Sequence, residues 1–176
     1  DSAEIGKPCK CTGLVSWRIK ELLPNLPKEL VINILSRAKF FSPAGVNFEL
    51  NSKKPVYLLD RIGLDKFLFD QAVKSGAEAH VGERFQSYSV RRHYIEVKTD
   101  RGKYTSRLLI GADGANSTVG KQAGFEYPEK FLVGVQTTAE GEFDSVELWF
   151  GSDVSPNFFA WVAPESASKA RIGLAT

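Results

Sequence analysis

Apolar positions along the chain repeat with two different periods, and these periods predict its helices and strands. Over residues 64–76 the apolar residues recur every three or four positions, which predicts a helix that Gly76 ends as a C-terminal cap. A second helix is predicted over 14–23, because Pro24 follows it at once and a proline cannot continue a helix.

Strands are predicted where apolar residues alternate or form short runs between turn residues. The segment 31–50 holds two apolar stretches around a turn at 42–45, which is typical of an antiparallel pair. The turn 99–102 likewise predicts a hairpin between 94–98 and 103–110. Further strands are expected at 79–81, 88–90, 133–137, 146–150, 158–162 and 171–175.

These elements predict a mixed α/β (α+β) chain in which a segment rich in β and α elements, 56–128, alternates with antiparallel sheet at 25–55 and 129–176. Composition adds little, since 43% hydrophobic and 25% charged residues with a net charge of +2 are ordinary for a globular protein. No charged run indicates nucleic-acid binding, and no apolar run reaches the roughly 18 residues of a membrane-spanning helix.

The two cysteines, Cys9 and Cys11, flank a single lysine. This spacing is too short for an easy disulfide, and two cysteines are too few for a structural zinc site, so we predict no metal site. Free thiols in a reducing compartment follow, which favours a cytoplasmic protein.

Four segments carry candidate chemistry, and the strongest begins where the apolar run 108–110 meets glycines. Backbone N–H groups of Gly111 and Gly114 could approach an anionic or polyhydroxyl ligand, while Asp113 could accept hydrogen bonds from sugar hydroxyls. Ser117 is predicted to cap a short helix that follows. The alternative is a plain strand-to-helix turn built from aspartate and glycine.

The other three segments are weaker when each is taken alone. Arg61, at a helix entry, is placed to meet a phosphate, although such arginines are usually solvated. The loop 6–14 could bring its backbone and the Cys11 thiol close to a planar cofactor, or its cysteine could be idle. The aromatic segment 157–164 could line a pocket for a long hydrocarbon, or it could be sheet core.

Taken together and in their order along the chain, the four segments resemble the geranylgeranyl reductase branch of the para-hydroxybenzoate-hydroxylase-like flavoproteins. The resemblance extends over nearly the whole chain. The loop 5–11, with its glycine, proline and cysteine, is similar to the loop after the first βαβ unit of that family. The resemblance implies FAD contacts from Cys11, Thr12 and Leu14.

The resemblance also extends to the aspartate–arginine pair that precedes a helix ending in Gly-Ala-Glu, which implies that Arg61 contacts FAD. Phe85 falls where the family uses main-chain atoms against the adenine end. Gly111, Asp113 and Gly114 are similar to the Asp-Gly motif of the superfamily, which is associated with FAD and with nicotinamide nucleotides.

The segment with Phe159, Trp161 and Pro164 resembles the family's substrate-cavity motif Tyr-x-Trp-x-Phe-Pro, and implies that these residues bind substrate. It departs from that motif twice, because Phe159 replaces the tyrosine and Ala163 replaces the second aromatic residue. A hydroxyl and a ring are thereby lost from the expected substrate wall.

By resemblance, a partial FAD-binding Rossmann-like domain comprises 1–24 and 56–128, and an antiparallel-sheet substrate domain comprises 25–55 and 129–176. The implied function is FAD-dependent reduction of carbon–carbon double bonds in isoprenoid lipids, with NAD(P)H or another reductant as electron donor. Cys11 is the hypothetical proton donor. Peripheral membrane contact is an expectation from substrate chemistry alone.

Other functions stay open at this point. Related flavoprotein dehydrogenases of the electron-transfer or quinone type, and FAD monooxygenases, share the fold. The family's GxGxxG turn and its later Gly-Asp segment have no counterpart within residues 1–176. We therefore expect this chain alone not to hold FAD tightly, and a fragment without catalytic activity is the remaining alternative.

Overall fold

The computed structural model describes residues 4–126 and 128–176, and these contain ten strands, three helices and one 3-10 turn. In chain order they are β1 (Leu14–Ser16), α1 (Ile19–Leu22), the 3-10 turn (Lys28–Leu30), β2 (Val31–Phe41), β3 (Asn47–Leu59), α2 (Arg61–Lys74), β4 (Phe85–Val90), β5 (Ile95–Thr99), β6 (Lys103–Ser106), α3 (Thr118–Gln122), β7 (Gly134–Glu140), β8 (Val146–Phe150), β9 (Phe159–Ser166) and β10 (Lys169–Ala175). The predicted mixed α/β class is confirmed.

The chain divides into two compact units. The first, here called the seven-stranded unit, comprises Pro8–Phe69 and Leu132–Thr176. The second, the three-stranded unit, comprises the described residues of Asp1–Lys7 and Asp70–Phe131.

The seven-stranded unit is one sheet in the order β1-β3-β2-β8-β9-β10-β7. Neighbouring strands run antiparallel, except that β2 and β8 pair in parallel. The parallel pair joins the long β2–β3 hairpin to the later strands. Segments of 8–69 and 132–176 therefore share a single hydrogen-bonded sheet.

The two faces of this sheet differ because side chains alternate along each strand. One face carries the core residues Tyr57 and Leu59, which pack with Leu64 of α2 and with residues of β1 and α1. The opposite face carries Leu58, which is fully buried and pairs in register with Leu14 of β1. Helices thus cover one face at this end, and the candidate site is built on the other.

The three-stranded unit is an antiparallel sheet in the order β4-β5-β6. Helix α3 is attached to β4 through the side chain of Gln122, which donates to the Gln86 carbonyl at 2.8 Å and accepts from the Tyr88 N–H at 3.2 Å. One glutamine side chain of α3 therefore satisfies two backbone groups of β4 and holds the helix against that strand.

Several predicted elements are confirmed. The helix predicted over 64–76 is α2, and Gly76 adopts φ +94° behind it, as a C-terminal cap requires. The antiparallel pair around the turn 42–45 is β2 with β3, and the hairpin around 99–102 is β5 with β6. The four strands predicted after residue 128 are β7 to β10.

Three predicted elements are wrong. Residues 14–23 begin as a strand, because β1 pairs with β3, and only Ile19–Leu22 is helical. Residues 79–81 form no strand. The apolar run at 108–110 is neither a strand nor buried: β6 ends at Ser106, and Leu108 and Ile110 are 71% and 76% exposed.

The two compact units also differ in their boundaries from the two predicted domains. Residues 8–24 and 56–69 belong to the seven-stranded unit, and β1 pairs there with the end of β3. The assignment of an FAD-binding and a substrate domain stays a prediction. Among the described residues, no helix combines the length and the apolar character needed to cross a membrane.

Candidate functional site

The loop before β1 forms a pocket with β7 and β9 in the seven-stranded unit. Cys9 to Thr12 line one side of this pocket, Gly134 to Gln136 line another, and Trp161 completes it. The pocket has a volume of about 480 Å³, within the usual range for small-molecule sites. The structure thus brings together Cys11 and Thr12, predicted to contact a cofactor, and Trp161, predicted to contact substrate.

The loop approaches the sheet closely at Gly13. Its carbonyl accepts the Leu59 N–H at 2.9 Å, and its N–H donates to the Cys11 sulfur at 3.3 Å. Gly13 adopts φ +84°, and a Cβ placed there would lie 2.5 Å from the Leu59 carbonyl oxygen. Only glycine meets both demands without strain. The Thr12 hydroxyl holds the loop to β7 by donating to Gln136 at 2.6 Å.

Arg171 of β10 holds this loop in place through its guanidinium group. One guanidinium nitrogen donates to the carbonyls of Thr12 and Leu59, and Nε donates to Glu165 at 2.8 Å. Partial burial would raise the pKa of Glu165, but hydrogen bonds from Arg171 and Lys169 outweigh it and hold that pKa below its ordinary value. The ion pair is therefore charged on both sides at neutral pH.

Arg61 is the first residue of α2, directly after Asp60, whose carboxylate accepts the Ile62 N–H at 3.0 Å. Its guanidinium donates to Asp65 at 3.0 Å, and this bond is the main cause that raises the pKa of Arg61, against burial and with a further contribution from nearby Cys11. The Arg61 Nε is buried and has no acceptor among the described residues. An unsatisfied buried donor of this kind is suited to an oxygen of a bound ligand.

Trp161 is the centre of an aromatic wall. Its indole lies against Gly173 of β10, where a Cβ would clash with the ring. The rings of Phe159 and Trp161 meet edge to face at 6.3 Å between centroids, and Phe158 stacks on Phe159 at 4.2 Å. The Trp161 Nε1 is buried without a partner in the described part of the chain. The wall therefore offers one unused donor in apolar surroundings.

The strand register extends this wall across the sheet. Trp161 is paired with Leu148 of β8, and Leu148 is paired with Phe40 of β2, so the three side chains share one face. Leu14 lines a neighbouring apolar pocket of about 290 Å³ on this side. Pro164, by contrast, is fully buried, and its carbonyl accepts from Asn33 at 3.0 Å. It does not line the pocket of Cys11 and Trp161.

The glycine-rich segment lies in the three-stranded unit. The Asp113 carboxylate accepts from the Ser117 hydroxyl and from the N–H groups of Thr118 and Val119, and these bonds, the Ser117 bond first, lower the pKa of Asp113. Ser117 caps α3 as predicted, since its hydroxyl accepts the Gly120 N–H at 2.8 Å. These bonds form a turn that leads into α3, although the strand expected before this turn is absent, and ligand binding by Asp113 stays a prediction.

Two further features lie in the same unit. Gly111 and Gly114 line a pocket of about 480 Å³, and Gly114 has φ +81° with open space where a side chain would lie. Phe85, the first residue of β4, follows Glu83, a buried carboxylate that accepts from Thr99 and from Tyr104 at 2.9 Å. These bonds, Thr99 first, lower the pKa of Glu83, and Glu83 in turn raises the pKa of Tyr104.

The sequence analysis missed Arg171, Glu165 and Gln136. The sequence did offer a signal for two of them, because Glu165 and Arg171 are charged residues on the largely apolar strands β9 and β10 of one hairpin. Charged residues in such strands need partners, and each is the other's partner. Gln136 carried no comparable signal, since it lies on an exposed edge strand.

Comparison with known proteins identifies a protein family that matches most of this chain. A model of the FAD-binding domain family matches residues 13–168. The digeranylgeranylglycerophospholipid reductase of Methanosarcina acetivorans is 25% identical over 187 residues, which cover 97% of this chain and 46% of the relative. The one from Methanocaldococcus jannaschii is 28% identical over 186 residues, which cover 98% and 47%. The predicted resemblance is confirmed, and the chain spans about half the length of the curated relatives it matches.

Solved structures agree on the fold. A geranylgeranyl bacteriochlorophyll reductase-like protein from Thermoplasma acidophilum superposes with a TM-score of 0.84 at 21% identity, covering 99% of this chain and 48% of that chain. The halogenase PltM, solved with phloroglucinol and FAD, gives a TM-score of 0.64 at 16% identity and covers 88% and 37%. At these identities the likeness shows the fold alone.

The residues present fit the predicted cofactor FAD. The unpaired Arg61 Nε offers a donor for a ligand oxygen, and the neighbouring loop exposes the Cys11 thiol beside a pocket. The backbone at Gly13 is held by Arg171 and Leu59, so the loop is positioned before a ligand arrives. Individual contacts from Cys11, Thr12 and Leu14 stay predictions.

Replacing Gly13 with alanine tests the close approach of the loop. Gly45 provides a matched control, because it also has a positive φ, of +76°, but nothing lies within 4 Å of its missing Cβ. Gly45→Ala should cost about 1–2 kcal/mol of unfolding free energy from backbone strain alone. Gly13→Ala should cost roughly 1–3 kcal/mol more from the clash with Leu59. Urea unfolding measures both, and equal losses would contradict the proposed geometry.

The Glu165–Arg171 pair predicts a pH-dependent stability. The pKa of Glu165 in the folded protein lies below its ordinary value of 4.5. The ion pair therefore adds to the unfolding free energy above pH 4.5, and this stabilisation is lost as the pH falls through the folded-state pKa. Glu165→Gln should lower the unfolding free energy by about 1–2 kcal/mol at pH 7 and much less at acid pH. Urea unfolding at both pH values, with the exposed Glu142→Gln as control, measures this. A loss that is independent of pH would count against the ion pair.

Proposed function

Because the chain belongs to the FAD-binding domain family, we propose that the full-length protein is an FAD-dependent reductase of carbon–carbon double bonds in isoprenoid lipid chains. The names of its relatives, digeranylgeranylglycerophospholipid reductases, support this substrate class. The single structural observation that carries the proposal is the shared pocket of Cys11, Thr12 and Trp161.

Trp161, which lines that pocket, also belongs to an apolar sheet face suited to a hydrocarbon chain. Phe40, Leu148 and Trp161 stand side by side on three adjacent strands, and Phe159 continues the row along β9. A prenyl chain lying on this face would exchange water for aromatic and aliphatic contacts, which stabilises it in proportion to the apolar area covered. An isoprenoid is therefore better matched to this surface than a small polar substrate.

Reduced FAD, when bound, would supply the hydride that adds to one carbon of the double bond. The chain's own residues would position the substrate and deliver a proton to the neighbouring carbon. Cys11 is the proposed proton donor, because its exposed sulfur lies at the pocket and accepts the Gly13 N–H, which orients it. Arg61, close to Cys11, would contribute positive charge and a free Nε donor toward the cofactor.

The proposed function is tested with the full-length protein under anaerobic conditions. FAD is first reduced chemically with dithionite, so that the natural electron donor need not be known, and digeranylgeranylglycerophospholipid is then added. We expect flavin reoxidation together with a lipid whose mass rises by one pair of hydrogens per reduced double bond. The fully saturated lipid is the control and should not reoxidise the flavin. Reoxidation that requires oxygen would instead favour the monooxygenase alternative.

A second test concerns Cys11 and uses its neighbour Cys9 as the matched control. Both thiols are exposed and lie in one loop, but only the Cys11 sulfur accepts the Gly13 N–H. In the full-length protein, Cys11→Ala should lower turnover by roughly 100-fold or more, as expected for loss of a general acid, while FAD content is retained. Cys9→Ala should change turnover far less. Unchanged turnover in Cys11→Ala would rule out the proton-donor role.

The cellular setting belongs to the same proposal. We infer a cytoplasmic protein, because its two cysteines are free thiols, and peripheral contact with the membrane, because its substrate would be a membrane lipid. NAD(P)H or another reductant would supply electrons. The glycine-rich segment with Asp113, similar to a motif for nicotinamide nucleotides, supports that choice.

A further inference from the structure

A second pocket in the seven-stranded unit lies on the helix-covered face of the sheet. It is bounded by α1, the 3-10 turn, β2 and β3, and its volume is about 750 Å³. It shares no lining residue with the pocket of Cys11 and Trp161. Nothing in the proposed reductase chemistry uses it.

The lining of this pocket is mostly apolar, with a few polar side chains. Leu23, Leu26, Val31 and Ile34 form part of its wall. Aliphatic walls with a small number of oriented polar groups are typical of sites for small amphiphilic ligands. The volume suits one chain with its head group.

Both charged groups in the lining are ammonium groups. Lys20 lies with Nζ 5.0 Å from the centroid of the Tyr57 ring, and Lys28 begins the 3-10 turn at the edge of the pocket. Within the described residues, neither lysine takes part in an ion pair, and the acidic neighbours Glu21 and Glu29 do not line the pocket. Two unpaired cations beside an apolar wall complement an anion that carries a hydrocarbon chain.

We propose that this pocket binds a single-chain amphiphile with a phosphate head group. A phosphate monoester carries a charge of about −1.5 to −2 at neutral pH, which matches two lysines better than a carboxylate does. The head group would lie between Lys20 and Lys28, and the chain would lie along Ile34 and Leu26. The site is independent of the flavin pocket, so its failure would leave the proposed reductase function untouched.

The test is calorimetric titration of the FAD-loaded full-length protein with dodecyl phosphate below its micelle concentration. We expect saturable binding that the double variant Lys20→Gln/Lys28→Gln weakens at least roughly tenfold, because two charge-assisted contacts are lost. Lys53→Gln is the matched control, since Lys53 is exposed on β3 outside the pocket. All three lysines are exposed, and melting curves of the variants verify that they fold.

Two further probes separate the head group from the chain. Inorganic phosphate tests the charge alone, and uncharged dodecyl maltoside tests the chain alone; each should bind at least about tenfold more weakly than dodecyl phosphate. Ile34→Thr, which keeps a β-branched residue at an exposed lining position, should weaken only the probes that carry a chain. Equal binding of either control probe, or unchanged affinity in the double lysine variant, would overturn the proposal.

Discussion

The guanidinium of Arg171 is the interaction on which the candidate site depends. It joins two carbonyls that are distant in sequence, those of Thr12 and Leu59, and so fixes the loop before β1 against the end of β3. Glu165 balances its charge within the same hairpin. A buried carbonyl without a donor is costly, and one planar side chain satisfies two of them here. The exposed thiol, the threonine hydroxyl and the pocket are all positioned by this contact.

Local signals in the sequence were enough for the elements whose physical causes are local. Helix α2 is visible from the spacing of its apolar residues and from Gly76, because a helix satisfies its hydrogen bonds within a single segment. The β2–β3 and β5–β6 hairpins follow from turn residues that stand next to their strands. The cap at Ser117 has the same origin, since its hydroxyl bonds a backbone group three residues later.

Elements that depend on distant partners could not be found in this way. Residues 14–16 are a strand only because β3 supplies partners forty or more residues later, and no local sequence pattern near residues 14–16 predicts this pairing. Leu108 and Ile110 look like a buried strand, yet no neighbouring strand pairs with them in the described structure. The aromatic wall was recognised as a motif, but its meeting with Cys11 follows from the pairing of β9, β10 and β7.

Gly173 gives the aromatic wall an unexpected dependence on β10. The Trp161 ring occupies the space that any side chain at position 173 would need. The space at this point of the sheet is thus divided between a residue with the largest side chain and a residue with none, on two adjacent strands. A smaller residue at 161 would open a volume that a larger residue at 173 could refill. The shape of the aromatic wall could therefore change through paired substitutions at these two positions, one of which lies outside the aromatic motif.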